Sequence, residues 1–84
     1  MHYVYILQSR KSKKFYFGMT HNIVQRLSAH NSYKVDATKH GVPWVVVYLE
    51  GYRSEKDAHV REHMLKHYGN ARTHIKKRAI NSLL

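Results

Sequence analysis

The segment from Tyr3 to Gln8 is dominated by aromatic and β-branched side chains, which suits a strand. In strand geometry Tyr3, Tyr5 and Leu7 share one face, and Val4 and Ile6 share the other. Ser9 to Lys14 is polar and basic, the composition of a turn. Phe15, Tyr16 and Phe17 form a second strand, which Gly18 ends. Two strands with a short polar connection read as a hairpin. The whole sequence has 84 residues, room for one small domain over 1–84 and not for two. A domain of that size buries only about 60% of the surface its unfolded chain exposes, so each large core residue matters.

The elements after the hairpin follow from caps and periodicity. Asn22 followed by Gln25 marks a helix start. Ile23, Leu27, Ala29 and His30 continue it to about Asn31. Ser32 to Val42 reads as loop, with Gly41 and Pro43 as breakers. The continuous apolar run Trp44 to Leu49 has strand length and predicts a buried central strand. Ser54 with Asp57 begins a second helix, with Ala58, Val60, Met64 and Leu65 as its apolar positions. Gly69 and Asn70 are expected to stop it. A basic last helix runs from about Ala71 to Ile80, with Ile75, Ala79 and Ile80 turned inward. The order is β-β-α-β-α-α. The class is α+β, a small three-stranded antiparallel sheet flanked by helices.

Charge narrows the function. Fifteen Lys and Arg stand against five Asp and Glu, a net charge of +10, with eight His besides. Such a surplus implies an anionic partner, nucleic acid before membrane surface. Seven tyrosines argue against a disordered basic tail. The absence of Cys rules out disulfides and thiolate zinc sites. No apolar run reaches the roughly 18 residues of a transmembrane helix. The N-terminus lacks the features of a signal peptide. A soluble cytoplasmic protein is the expectation. With so few carboxylates, metal chemistry would rest on one of them, with waters and substrate oxygens completing the shell.

In their order and spacing, these residues resemble the GIY-YIG nuclease superfamily. Its first motif stands as Tyr3-Val4-Tyr5 and its second as Tyr16-Phe17-Gly18. Arg26 and His30 follow on the first helix, then Pro43-Trp44 before the apolar strand, and Arg61-Glu62 in the next helix. The likeness runs from about Tyr3 to Lys66. It is nearest to the small stand-alone bacterial members and more distant from the N-terminal nuclease domain of UvrC-type repair enzymes. Tyr3 replaces the Gly of the first motif, and Phe17 the Ile of the second. Met19 follows Gly18 where UvrC-type domains have a basic residue. For the Asn found late in some members, Asn70 and Asn81 are both candidates.

The resemblance implies a metal-dependent DNA endonuclease, using Mg²⁺ or Mn²⁺, that hydrolyses phosphodiester bonds in DNA repair, recombination or processing. It implies catalytic roles for Tyr5, Tyr16, Arg26, His30 and Glu62. Either tyrosine could be the general base. An ordinary phenol has a pKa of about 10 and is a poor base at neutral pH, so nearby positive charge is expected to stabilise the phenolate. Arg26 and His30, four apart, share a helix face. A guanidinium there can clamp a phosphate through two hydrogen bonds. Glu62 falls beside Ala58 and Leu65 and is the candidate metal ligand. Its competing role is a salt bridge to Arg26, Arg61 or Lys66.

Further basic residues are candidates for backbone phosphate contacts: Lys13, Lys14, Arg26, Lys39, His40, Arg53, Lys76 and Lys77. Trp44 is either core or a base-stacking platform. His59, His63 and His67 form a stripe at helical spacing that lacks a third ligand type, so a solvated face is expected. The chain has no room for a dedicated DNA-reading domain. Structure-selective or weakly sequence-specific action, or a protein partner that supplies specificity, is therefore expected. The alternative is a basic nucleic-acid-binding module on the same fold with little or no catalysis. Charge alone leaves RNA open as the ligand. The apolar residues of the last helix are needed for the core, which argues against lying on a membrane.

Overall fold

The computed structural model describes residues 1–84. Strands β1 (His2–Ser9) and β2 (Phe15–Thr20) form the expected hairpin, with Tyr5 opposite Gly18 and Leu7 opposite Tyr16. Lys13 takes a left-handed conformation in the turn, at φ 65°. Strand β3 (Trp44–Tyr52) pairs antiparallel with the other side of β1, so the sheet order is β2-β1-β3. The central strand is thus β1, which corrects the reading of Trp44 to Leu49 as central. A continuous apolar run reports how well a strand is covered, not where it lies in the sheet. In β3 only Trp44 and Val47 are buried, and Leu49 is exposed.

Alternation along β1 divides the interior into two layers. Val4 and Ile6 pack on one face with Val47, Ala58, Leu65 and Ile75. Tyr5 and Leu7 pack on the other with Trp44, Ile23 and Leu27. Helix α1 (Ile23–Asn31) therefore covers one face, and α2 (Glu55–His67) and α3 (Gly69–Arg78) cover the other. Asn22 and Ser54 cap α1 and α2 by accepting from Gln25 N and Asp57 N.

Three helix expectations change. Gly69 and Asn70 begin α3 instead of ending α2. Tyr68 alone makes the break, in an extended conformation (φ −121°, ψ 107°), so no left-handed glycine is needed. Ile80 is exposed and Ala79 half-buried, because α3 ends at Arg78 and a 3₁₀ turn over Ile80–Ser82 rotates the chain; Leu83 packs on the core instead. Val60 and Met64 also point outward. The inward stripe of α2 is Ala58, Arg61, Glu62 and Leu65, with two charged residues where apolar ones are usual. A second 3₁₀ turn, Lys39–Gly41, lies within the expected loop. No helix is long and apolar enough to cross a membrane.

Candidate active site

The centre of the site is the Tyr5 phenol. Its ring lies over Gly18, where a Cβ would collide with Tyr5 Cζ and Oη. The missing side chain lets the hydroxyl reach beyond β1 and over β2. There it meets two residues one turn apart on α1: His30 Nε2 lies 3.0 Å from Tyr5 Oη, and Arg26 Nε donates to the same oxygen at 3.4 Å. The shared helix face expected for Arg26 and His30 is thus directed at one phenol.

Both ring nitrogens of His30 have hydrogen-bond partners. The ring is fully buried. Thr38 Oγ1 donates its single proton to the Val35 carbonyl at 3.3 Å and lies 2.8 Å from His30 Nδ1. With the His30 proton on Nδ1, Thr38 Oγ1 accepts from it and the Nε2 lone pair faces the Tyr5 O–H.

Burial sets the protonation states. Desolvation raises the Tyr5 pKa above 10.0 despite the Arg26 guanidinium, with Tyr16 and Glu62 adding to the push. The expectation that basic surroundings would favour phenolate is corrected here: the loss of water outweighs one cation. Desolvation, helped by the Arg26 charge, lowers the His30 pKa below 6.5. At neutral pH the pair is a phenol and a neutral imidazole.

Tyr16 stands on the same face. Its ring meets the His30 ring edge-on at 5.1 Å and the Trp44 ring at 6.4 Å. Tyr16 is among the groups that hold the Arg26 guanidinium protonated, after the Tyr5 hydrogen bond. Trp44 is core, 6% exposed, with Nε1–H donating to Thr38 O at 2.8 Å. Asn31 binds the backbone of Trp44 through both its amide atoms, at 2.7 and 3.0 Å.

Glu62 comes from α2, and its side chain is 18% exposed. Of the three expected salt-bridge partners, Lys66 is the one it has, at 3.7 Å. Arg61 is turned instead to Glu50, which accepts from its Nε at 2.9 Å and its Nη2 at 3.1 Å. Tyr48 and Tyr52 each donate to Glu50 at 2.9 Å. These donors hold the Glu50 carboxyl below its ordinary range against the opposing effect of burial. Glu62 offers hard oxygen donors close enough to Tyr5 to act on its charge. No cluster of three His, Cys, Asp or Glu surrounds it. That donor set fits Mg²⁺ or Mn²⁺ carried by one carboxylate, with water and phosphate oxygens filling the remaining positions. It does not fit zinc.

The expected phosphate-binding residues separate into groups. Lys13, Lys14, Lys39 and His40 lie at the hairpin-turn end of the sheet, near Tyr16. Lys39 also reaches Asp36, at 3.8 Å. Arg53 follows β3 at the opposite end. Lys76 lies over the Phe15 ring at 4.6 Å, and Lys77 is exposed on the same helix. His59, His63 and His67 are exposed, and the last two stack at 4.3 Å. Sequence reasoning missed Thr38, which fixes His30, and Ser9, described below. Neither sits in a recognisable motif.

Comparison with known proteins gives the family. The family model described as GIY-YIG catalytic domain matches residues 1–78. A UPF0213 protein of Staphylococcus haemolyticus is 39% identical over 66 residues, 77% of this chain and 79% of its own. A UPF0213 protein of Clostridium perfringens is 36% identical over 67 residues, 79% of this chain and 71% of its own. A third, of Streptococcus pneumoniae, is 34% identical over 65 residues, 76% of this chain and 65% of its own. With the domain match spanning nearly all of the sequence and both strand motifs at its site, the chain belongs to the GIY-YIG family of nuclease domains.

Proposed function

We propose that the protein is a metal-dependent DNA endonuclease in which Tyr5 activates the attacking water. The observation that carries this reading is the Tyr5 hydroxyl held between His30 Nε2 and Arg26 Nε. A buried phenol with a raised pKa is no base by itself. A phenol whose proton already points at a neutral imidazole is different. As a water loses its proton to Tyr5 Oη, the Tyr5 proton passes to His30 Nε2. The imidazolium that forms keeps its Nδ1–H on Thr38 Oγ1. The phenol therefore stays neutral throughout.

Arg26 remains protonated beside Tyr5 Oη, where it would stabilise charge gathering on the phosphorane. Tyr16 positions the water or a phosphate oxygen. A divalent cation on Glu62 would supply further positive charge at phosphorus. Basic groups at the turn end hold the flanking backbone without reading sequence. Structure-selective or weakly sequence-specific action in DNA repair, recombination or processing follows, with a protein partner as one source of further specificity.

The test uses labelled duplex, nicked, flap and branched DNA with wild type and Glu62→Ala, in Mg²⁺, Mn²⁺ or EDTA. Cleavage by wild type alone, and only with metal, is expected. Binding by both proteins with no cleavage anywhere would favour a nucleic-acid-binding module on this fold instead.

A further inference from the structure

A cavity of about 250 Å³ opens between the β1–β2 turn and the 3₁₀ turn at Lys39–Gly41, beside Tyr16. Its walls include the Tyr16 and Trp44 rings and Ala37, with Lys14 and His40 also lining it; the Phe15 ring itself turns to the opposite layer, under Lys76. The Tyr16 ring is common to this cavity and to the site around Tyr5. One side chain thus separates the hydroxyls that would face a phosphate from an aromatic-walled space next to them.

The cavity is held open by buried structure. Ser9 is fully buried, and its Oγ accepts from Lys11 N at 3.1 Å and Ser12 N at 2.9 Å while donating to Gly41 O. One hydroxyl therefore ties the hairpin turn to the 3₁₀ turn and fixes the gap between them. Arg10 N donates to Pro43 O at 2.9 Å and reinforces the link. Gly41 contributes too: a Cβ there would strike the Trp44 ring that forms one wall.

We propose that this cavity receives one unstacked nucleobase next to the cleaved phosphate, so that the preferred substrate is DNA with an unpaired or displaced nucleotide at that position. The proposal rests on the nuclease reading above and narrows its substrate class. The ligand chemistry follows from the walls. Aromatic surfaces accept the π-face of any base, and cationic groups suit the adjoining phosphates. In continuous duplex the base is stacked and paired, and extracting it works against binding. A nick, flap or single strand largely avoids that cost.

The test needs no cleavage. Trp44 is the only tryptophan, so its indole N–H gives a single NMR signal. Without metal, labelled protein is titrated with thymidine 3′,5′-bisphosphate and with the same bisphosphate lacking the base. Stacking of one base predicts about tenfold tighter binding of the thymidine compound. The Trp44 signal should move only with that compound. Ala37 is exposed, so Ala37→Phe fills the cavity mouth without touching the core. It should reduce binding of the thymidine compound to the level of the abasic one. Equal binding of the two by wild type, or unchanged discrimination in Ala37→Phe, would overturn the proposal. If a single-stranded oligonucleotide is still bound and cut, the nuclease reading survives that failure. If no DNA binds at all, both fall.

Discussion

Gly18 and Tyr5 face each other across two strands, and the Tyr5 phenol occupies the space in which a side chain at 18 would begin. The glycine is required by that close approach; its backbone φ lies outside the left-handed range. Gly18→Ala should push the Tyr5 ring away from His30 and Arg26. A displacement of about 1 Å can cost on the order of 10²-fold in rate, and overpacking costs roughly 1–3 kcal/mol. Cleavage rates and chemical denaturation of the folded variant check both numbers. Wild-type activity in Gly18→Ala would show that the position of the phenol does not matter.

Acid should weaken the fold through His30. Its pKa in the folded protein is depressed below 6.5 by burial. Between the folded and unfolded values the unfolded chain binds more protons, so stability rises with pH. The contribution is complete above about pH 6.5 and is lost as pH falls toward the folded value. His30→Gln should flatten this part of the stability profile. Denaturation midpoints measured across mild acid test it.

Thr38 should act on chemistry through the His30 tautomer. Thr38→Val leaves Nδ1–H buried without an acceptor, a cost of about 1–3 kcal/mol. It also releases the constraint that keeps the Nε2 lone pair on Tyr5. Activity should fall, and the pH dependence of cleavage should move. Thr38→Ser restores the acceptor and should restore both.

The fold was legible in outline, and the reasons are local. Alternation in Tyr3–Gln8 reports two covered faces, and these are the two layers that Val4–Ile6 and Tyr5–Leu7 enter. Strand order is not local. The run at Trp44 looked central, whereas β1 is the strand with neighbours on both sides. Gly69 is an ordinary stop signal that the chain did not need, because Tyr68 turned in a single extended residue. At the site, the family resemblance points to Arg26 and His30, and helical spacing puts them on one face. Their convergence on one hydroxyl depends on Gly18 and Thr38, whose contacts are set by tertiary packing. The protonation of Tyr5 was read in the wrong direction, because a sequence displays nearby charge and hides burial.

Arg61 and Glu62 are neighbours on the half-buried side of α2. The Glu50 carboxylate and the Arg61 guanidinium are 15% and 25% exposed and meet through two hydrogen bonds. Arg61→Met removes that clamp and leaves Glu50 with its two tyrosines. A loss of about 2–3 kcal/mol is expected, below the range for a fully buried pair. If the clamp also helps to set Glu62, its neighbour on the helix, the metal concentration needed for half-maximal cleavage should rise. An unchanged metal requirement would limit Arg61 to a stabilising role.

Single-turnover cleavage by Tyr5→Phe tests the central claim most directly. The substitution removes one oxygen from a buried ring and leaves its packing in place. DNA binding should persist, while the cleavage rate falls by roughly 10²–10⁴-fold, the usual worth of a positioned acid–base group. Cleavage at the wild-type rate would contradict the account and pass the role of base to Tyr16 or to a metal-bound water.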